Sequence, residues 1–242
     1  MSKLFRRALL ERASRPYQSA GRFAWHFSQG KLSGDPIFFA LLEHGLIPDA
    51  VRLIDLGCGR GLLASWLQAA RVQYATGVWP EHWPAPPQLQ KFWGLDLQAA
   101  DVNAARVALT DGAVSDHLSF EVGDIRTSDL GQADVVLMLD VLHYIDYAAQ
   151  EDLIRRIRVA MPEGGTLITR IGDAAGGWSF VYSKWVDRIV FFLRGSRRAK
   201  LYCRTLDNWI DLLKRQGFSV TQLPMSKGTF FCNVTLIAKA VA

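Results

Sequence analysis

The chain has 242 residues, half of them hydrophobic and 21% charged, a balance that supports a buried core and excludes an intrinsically disordered tail. Three widely spaced cysteines (Cys58, Cys203, Cys232) form neither a disulfide framework nor a metal knuckle, which fits a reducing compartment and predicts no metal site. The formal net charge is +5, but residues 1–31 and residues 184–204 each hold seven Lys or Arg against one acid, so the remaining body is acidic.

Two basic segments on an acidic body suggest a shared anionic partner, such as an anionic membrane or an acidic carrier protein; two solvated helix faces are the alternative. No apolar run reaches the roughly 18 residues of a membrane span. The apolar stretch after the basic start is too short for a secretory signal. The expected location is therefore cytoplasmic, with peripheral contact at the inner membrane surface as the variant that the basic segments leave open.

In chain order, LFRRALLERA places Leu4, Phe5, Ala8 and Leu9 at helical spacing between arginines and predicts a short basic amphipathic helix, ended by Pro16. A loop or second helix follows, rich in aromatic and basic residues. Asp35–Pro36 opens a helix over IFFALLEHGL, with Gly45 near its end. From Val51 strands and helices alternate: strands VRLIDLG, FWGLDL, LSFEVGDI, ADVVLMLDVL and GGTLITRI; helices GLLASWLQAA, AADVNAARVAL and QEDLIRRIRVAM. LDNWIDLLKRQ is a final helix closed by Gly217. FSVTQLPM and NVTLIAKAV follow as two strands with no helix between them. The pattern predicts an α/β fold: a doubly wound, mostly parallel, seven-stranded sheet with an antiparallel C-terminal hairpin. The proline- and tryptophan-rich stretch VWPEHWPAPPQLQK admits neither a long helix nor a central strand and is expected to be an inserted surface loop near the mouth of the site, a mere excursion of the chain being the alternative.

The strongest chemical signal is RLIDLGCGRGLL, where a strand runs into glycines 57, 59 and 61 and then a helix. This layout lets a ligand approach backbone N–H groups at a helix start. The dinucleotide fingerprint would need a glycine at position 62, which is Leu62. Asp55, just before the glycines, would repel phosphate and suits a cationic ligand.

These residues resemble the D/E-x-G-x-G-x-G signature of class I S-adenosylmethionine (SAM)-dependent methyltransferases. Further matches follow in order. The resemblance implies that Asp55, Gly57, Cys58, Gly59 and Gly61 form the donor turn and that Asp96 holds the ribose hydroxyls. It also implies that Asp124 contacts the adenine amino group, with Leu97 and Ile125 flanking the ring. ADVVLMLDVLHYI resembles the fourth-strand motif and adds Asp140 to the donor set; MPEGGTLITR resembles the turn into the fifth strand. The resemblance spans residues 51–242. Asp55 and Asp96 lie about 41 residues apart, where about 20 is usual; the proline-rich insertion accounts for the excess. SAM is the implied cofactor. Residues 1–50 would be an N-terminal helical lid or cap, and residues 51–242 the SAM-binding domain with a helical insertion around 176–204.

Methyl transfer is an in-line displacement in which the enzyme mainly positions donor and nucleophile. A hydroxyl acceptor gains from a base. His143, directly after the fourth strand, is the expected base, against the alternative that it only shapes the pocket; Tyr144 is the weaker candidate. Tyr17 and Arg22 from the lid, Arg170 beyond the fifth strand and Trp178 from the insertion are the candidate acceptor contacts. The expected reaction is methylation of a small hydrophobic metabolite, whether aromatic, lipid-like or carrier-bound. An RNA or protein methyltransferase and a non-catalytic SAM-fold partner compete. LDVLHY stands where base-modifying enzymes carry Asn/Asp-Pro-Pro-Tyr, which weighs against nucleic acid.

Overall fold

A computed structural model of the chain describes residues 2–110, 117–172, 201–224 and 233–242. Its strands are ordered β3-β2-β1-β4-β5-β7-β6 in one seven-stranded sheet, with β1 Arg52–Leu56, β2 Lys91–Asp96, β3 Leu118–Val122, β4 Val135–Leu139, β5 Thr166–Gly172, β6 Phe218–Pro224 and β7 Asn233–Ala240. The pairs β1/β2, β2/β3 and β4/β5 are parallel, whereas β7 runs antiparallel to both β5 and β6. The alternating pattern and the helix-free final pair thus produce the expected sheet, with β6 at its edge.

The chain divides into two compact units, Met1–Ile125 and Arg126–Ala242. The N-terminal helices belong to the first unit because α1 (Lys3–Ser14) buries Phe5, Leu9 and Ala13, spaced one helical turn apart. The Ser2 hydroxyl caps α1 by accepting from the Phe5 N–H at 3.1 Å, and Pro16 stands in the 3-10 turn Arg15–Gln18 that ends it. The helices α2 (Arg22–Gly34) and α3 (Ile37–Glu43) follow, then α4 (Leu62–Ala75) after β1. Two side-chain bonds tie the N-terminal helices to α4: the Ser65 hydroxyl donates to the Ala13 carbonyl at 2.6 Å and the Trp66 indole to the Phe38 carbonyl at 2.7 Å. Both α4 residues are buried, so removing either partner would strand a polar atom at about 1–3 kcal/mol.

The proline-rich stretch does not lie near the site. Trp79 and Trp83 meet Phe5 edge-on, with ring centroids 5.5 and 5.7 Å away. The Gln88 N–H donates to the Asp49 carboxylate at 2.6 Å, and the Gln88 carbonyl accepts from Ala50 at 2.9 Å. These contacts lie at the amino end of β1, opposite to the glycine turn. The reason is topological: a helix-to-strand connection enters a parallel sheet at the amino edge, while ligands bind at the carboxyl edge.

The second unit is built on α6 (Tyr147–Ala160) and α7 (Leu206–Arg215), α5 (Ala99–Leu109) being the last helix of the first. Leu153, Ile154 and Ile157 of α6 and Trp209, Leu212 and Leu213 of α7 are buried, at the spacing of amphipathic helices on a sheet. Among the described residues no helix is long and apolar enough to cross a membrane.

Candidate active site

In the first unit, β1, β2 and β3 lie side by side with Asp55 in register with Gly94 and Asp96 with Val122. Their carboxyl ends therefore bring Asp55, Asp96 and Asp124 to one edge. Beyond β1 the chain turns through Gly57, Gly59 and Gly61 with φ of 81°, 52° and 71°. Side chains are disfavoured in this left-handed region. Gly61 has a second reason: a Cβ there would lie 2.7 Å from Cε1 of Phe120. At Gly59, in contrast, a Cβ would meet nothing within 4 Å, so the top of the turn is open. Gly61 then caps α4, where unpaired N–H groups and the positive end of the helix dipole concentrate.

The turn is fixed from three sides. The N–H groups of Gly57 and Cys58 both donate to the Leu95 carbonyl, at 2.8 and 3.1 Å. Asp96 accepts from Gly59 N–H through Oδ2 at 2.9 Å and from Gln98 N–H through Oδ1 at 2.8 Å. Arg60 donates to Asp101 Oδ1 at 2.9 Å and lies against the rings of Phe23 and Phe27, 4.7 and 5.1 Å from their centroids. Asp55 is buried, and burial, aided by the neighbouring Asp96 charge, pushes its carboxyl up to about 8. Cys58 is buried as well; burial and the charges of Asp55 and Asp96 hold its thiol above the usual range, so it is a neutral packing group rather than a nucleophile.

Two clustered carboxylates, one of them desolvated, under an open glycine turn form a poor phosphate cradle and a good one for a cationic ligand with hydroxyls and a carboxylate of its own. Leu97, 62% exposed just past β2, offers an apolar face beside Asp96. Asp124 and Ile125 are half-buried just past β3, where Gly123 N–H donates to the Asp96 carbonyl at 3.0 Å. The residues present thus fit SAM, and all nine first-unit donor candidates, from Asp55 to Ile125, stand at one edge.

Two of the acceptor candidates, Tyr17 and Arg22, lie in the first unit. Tyr17 has no exposed surface, and its hydroxyl donates to the Arg60 carbonyl at 2.9 Å. It props the glycine turn from within the core and presents nothing to an acceptor. Arg22 is exposed at the start of α2. Trp178 and residues 176–200 of the expected insertion lie outside the described residues.

In the second unit, Asp140 follows β4 with φ of 59°, an uncommon conformation for a residue with a side chain. Arg170 is only 3% exposed, and its guanidinium binds the Asp140 carboxylate through both Nε, at 2.8 Å, and Nη2. The expectation that Arg170 meets a polar group of the acceptor is therefore replaced by an internal, forked ion pair, and the Asp140 carboxylate is turned toward that pair. His143 and Tyr144 sit in the 3-10 turn Leu142–Tyr144, their rings 4.0 Å apart. His143 is half-buried and Tyr144 exposed.

Gln150, a residue that sequence reasoning missed, holds this turn. Fully buried on α6, its Nε2 faces the carbonyls of Leu142, Ile145 and Tyr202 at 3.0, 3.2 and 2.8 Å. Its Oε1 accepts from Arg204 at 2.8 Å, and the same guanidinium reaches Glu151 at 2.8 Å. The Tyr202 N–H donates to the His143 carbonyl at 2.9 Å. Arg204, counted above with the second basic segment, is thus engaged internally. The available signal was a polar side chain on the apolar face of QEDLIRRIRVAM.

The sheet order, with β7 reversed between β5 and β6, and the donor edge at the glycine turn define a class I SAM-dependent methyltransferase. Residues 7–223 match the family model described as a methyltransferase domain, and the chain belongs to that family. A 115-residue segment is 27% identical to the tetracenomycin polyketide synthesis 8-O-methyl transferase TcmO of Streptomyces glaucescens, covering 48% of this chain but only 29% of that protein. Among solved structures, an O-methyltransferase family protein from Burkholderia thailandensis is similar with a TM-score of 0.64 and 20% identity, over 96% of this chain and 64% of that one. Magnesium protoporphyrin IX methyltransferase from Synechocystis PCC 6803, with bound S-adenosylhomocysteine, is similar with a TM-score of 0.58 and 18% identity, over 94% and 93% of the two chains.

Proposed function

We propose that the chain methylates a hydroxyl of a small hydrophobic metabolite, most simply a phenol of the polyketide type in secondary metabolism, with His143 as the base. The observation that carries the proposal is the setting of His143: a half-buried imidazole on a 3-10 turn directly beyond the carboxyl end of β4, its main chain fixed through Gln150 and Tyr202. A phenol has a pKa near 10 and an imidazole near 6.5, so proton removal is needed only as the hydroxyl becomes more acidic in the transition state. Support for oxygen as the attacking atom comes from the 8-O-methyl transfer named for the Streptomyces relative.

In this reading Asp96 holds the ribose, Asp124 the adenine amino group, Leu97 and Ile125 the ring faces, and the Gly57–Gly61 turn with Asp55 the methionine end. When bound, SAM supplies an electrophilic methyl on a sulfonium. An acceptor oxygen would displace that methyl from the sulfur, and His143 would take the hydroxyl proton. Tyr144, exposed beside His143, is a subsidiary contact. The basic start of the chain extends the acceptor class to a lipid-like or carrier-bound phenol.

Methyl transfer from labelled SAM to a panel of polyphenols tests the proposal. The wild type should label at least one phenol, and His143→Ala should bind SAM normally while losing at least a hundredfold in kcat. Equal turnover in His143→Ala would remove the base, and transfer to amines alone would remove the hydroxyl.

A further inference from the structure

A second feature of the first unit stands apart from the donor edge. The helices α1 and α2 flank an open groove of about 600 Å³, lined on one side by Lys3, Arg6, Arg7, Glu11 and Arg15 and on the other by Trp25, Gln29 and Ser33. That volume is typical of sites for small ligands. The second wall is regular: Trp25, Gln29 and Ser33 are spaced four apart and so share one face of α2. Phe23 and Phe27, which cover Arg60 at the donor turn, occupy a different face of the same helix.

The charge of this groove is not neutralised internally. Arg6 bridges the two walls, donating to the Ser33 carbonyl at 3.3 Å and lying 4.4 Å from the centroid of Phe39. Lys3, Arg7 and Arg15 are exposed and form no ion pair among the described residues. Four cations thus face one carboxylate, Glu11, which stands between Arg7 and Arg15. At 1.5 Å per residue, Arg7 and Arg15 are about 12 Å apart along the helix axis. A compact anion would reach only one end of such a row. An extended anion with charges several ångströms apart reaches both, and uncharged donors on the α2 wall (the Trp25 indole N–H and the Gln29 amide) add to the coordination of its oxygens.

We propose that the α1–α2 groove binds an extended anion carrying two or more phosphate groups. Phosphates match the row better than carboxylates because each brings up to two charges and several acceptor oxygens to the arginine forks. Such an anion is available free in solution or as the headgroup layer of an anionic membrane, and the two sources share this chemistry. The site is independent of methyl transfer and needs no donor.

The full chain without SAM would be titrated with sodium tripolyphosphate by calorimetry at constant ionic strength, and separately sedimented with phosphatidylglycerol vesicles. Arg7→Gln with Arg15→Gln removes two groove cations; Arg12→Gln with Arg22→Gln removes two exposed cations outside it and gives the same net charge. Unchanged thermal midpoints of both double variants establish intact folds. The expected result is tripolyphosphate binding that weakens at least tenfold in the first double variant, stays within twofold in the second, and tightens in Glu11→Gln. The same variant pattern with vesicles alone assigns the headgroup source. Binding of neither probe, or equal weakening in both double variants, would overturn the site and leave the methyl-transfer reading untouched.

Discussion

The carboxylate of Asp96 accepts the backbone N–H of Gly59 at 2.9 Å, so the end of the second strand holds the open top of the glycine turn from across the strand gap. Its other oxygen fixes Gln98 N–H at 2.8 Å, at the entry to α5. One side chain thereby sets the relative positions of the turn and the expected ribose-binding strand end. Asp96→Asn keeps the size but weakens two charge-assisted bonds, and SAM affinity should fall at least tenfold, as one or two such bonds at about 1.5–3 kcal/mol each imply. Calorimetric titration of the variant measures this; unchanged affinity would show that the turn holds its shape without Asp96.

Asp55 makes folding and binding depend on pH. Its folded-state pKa of about 8 lies above the ordinary value of 3.8. The folded protein therefore binds more protons than the unfolded chain, and stability falls as pH rises from about 4 to about 8. Asp55→Asn should remove this fall: its thermal midpoint should exceed that of the wild type at pH 8 and equal it near pH 4. A cationic donor favours the ionised carboxylate, so SAM binding should release close to one proton at pH 7, read as a buffer-dependent calorimetric enthalpy. Proton uptake on binding would contradict the assignment of Asp55 to the cationic end of the donor.

Gly61 is constrained twice, by its φ of 71° and by Phe120 at 2.7 Å from an added Cβ. Gly61→Ala should destabilise by about 2–4 kcal/mol, since the left-handed backbone alone costs about 1–2 kcal/mol. For a chain of this size that is a drop of at least about 4 °C in Tm. Adding Phe120→Leu should restore part of the loss and not all of it, because only the clash is relieved. Full restoration would mean that the backbone conformation carries no strain.

The Asp140–Arg170 pair is asymmetric, with the guanidinium 3% exposed and the carboxylate 37%. A buried cation depends on its partner more than a half-exposed carboxylate does. A double-mutant cycle with Asp140→Asn and Arg170→Gln should give a coupling of at least about 1 kcal/mol in urea unfolding. A coupling below about 0.3 kcal/mol would show that solvent replaces the pair.

The candidate donor edge was legible in the sequence because each of its parts is local: a strand, a glycine pattern, and an acid at the end of each strand. The sheet was legible for the same reason, and β6 and β7 announced themselves as two strands without an intervening helix. What escaped was non-local. Tyr17, set among basic and aromatic residues, reads as a lid residue, yet its hydroxyl meets Arg60 across 43 positions. Arg170 reads as a free cation at a strand end until Asp140, 30 residues earlier, closes on it. Gln150 joins Leu142, Tyr202 and Arg204, a pairing that no spacing rule contains. The proline-rich stretch lies at the amino end of β1, which the sequence does not reveal because composition marks a loop but not the edge of the sheet to which the loop belongs.

The measurement that bears most directly on the central claim is calorimetric titration of the wild-type chain with SAM, S-adenosylhomocysteine and NAD. The donor edge predicts saturable one-to-one binding of SAM and of its demethylated product, and no binding of NAD, whose pyrophosphate would face the Asp96 carboxylate. Binding of NAD, or of neither SAM nor its product, would contradict it.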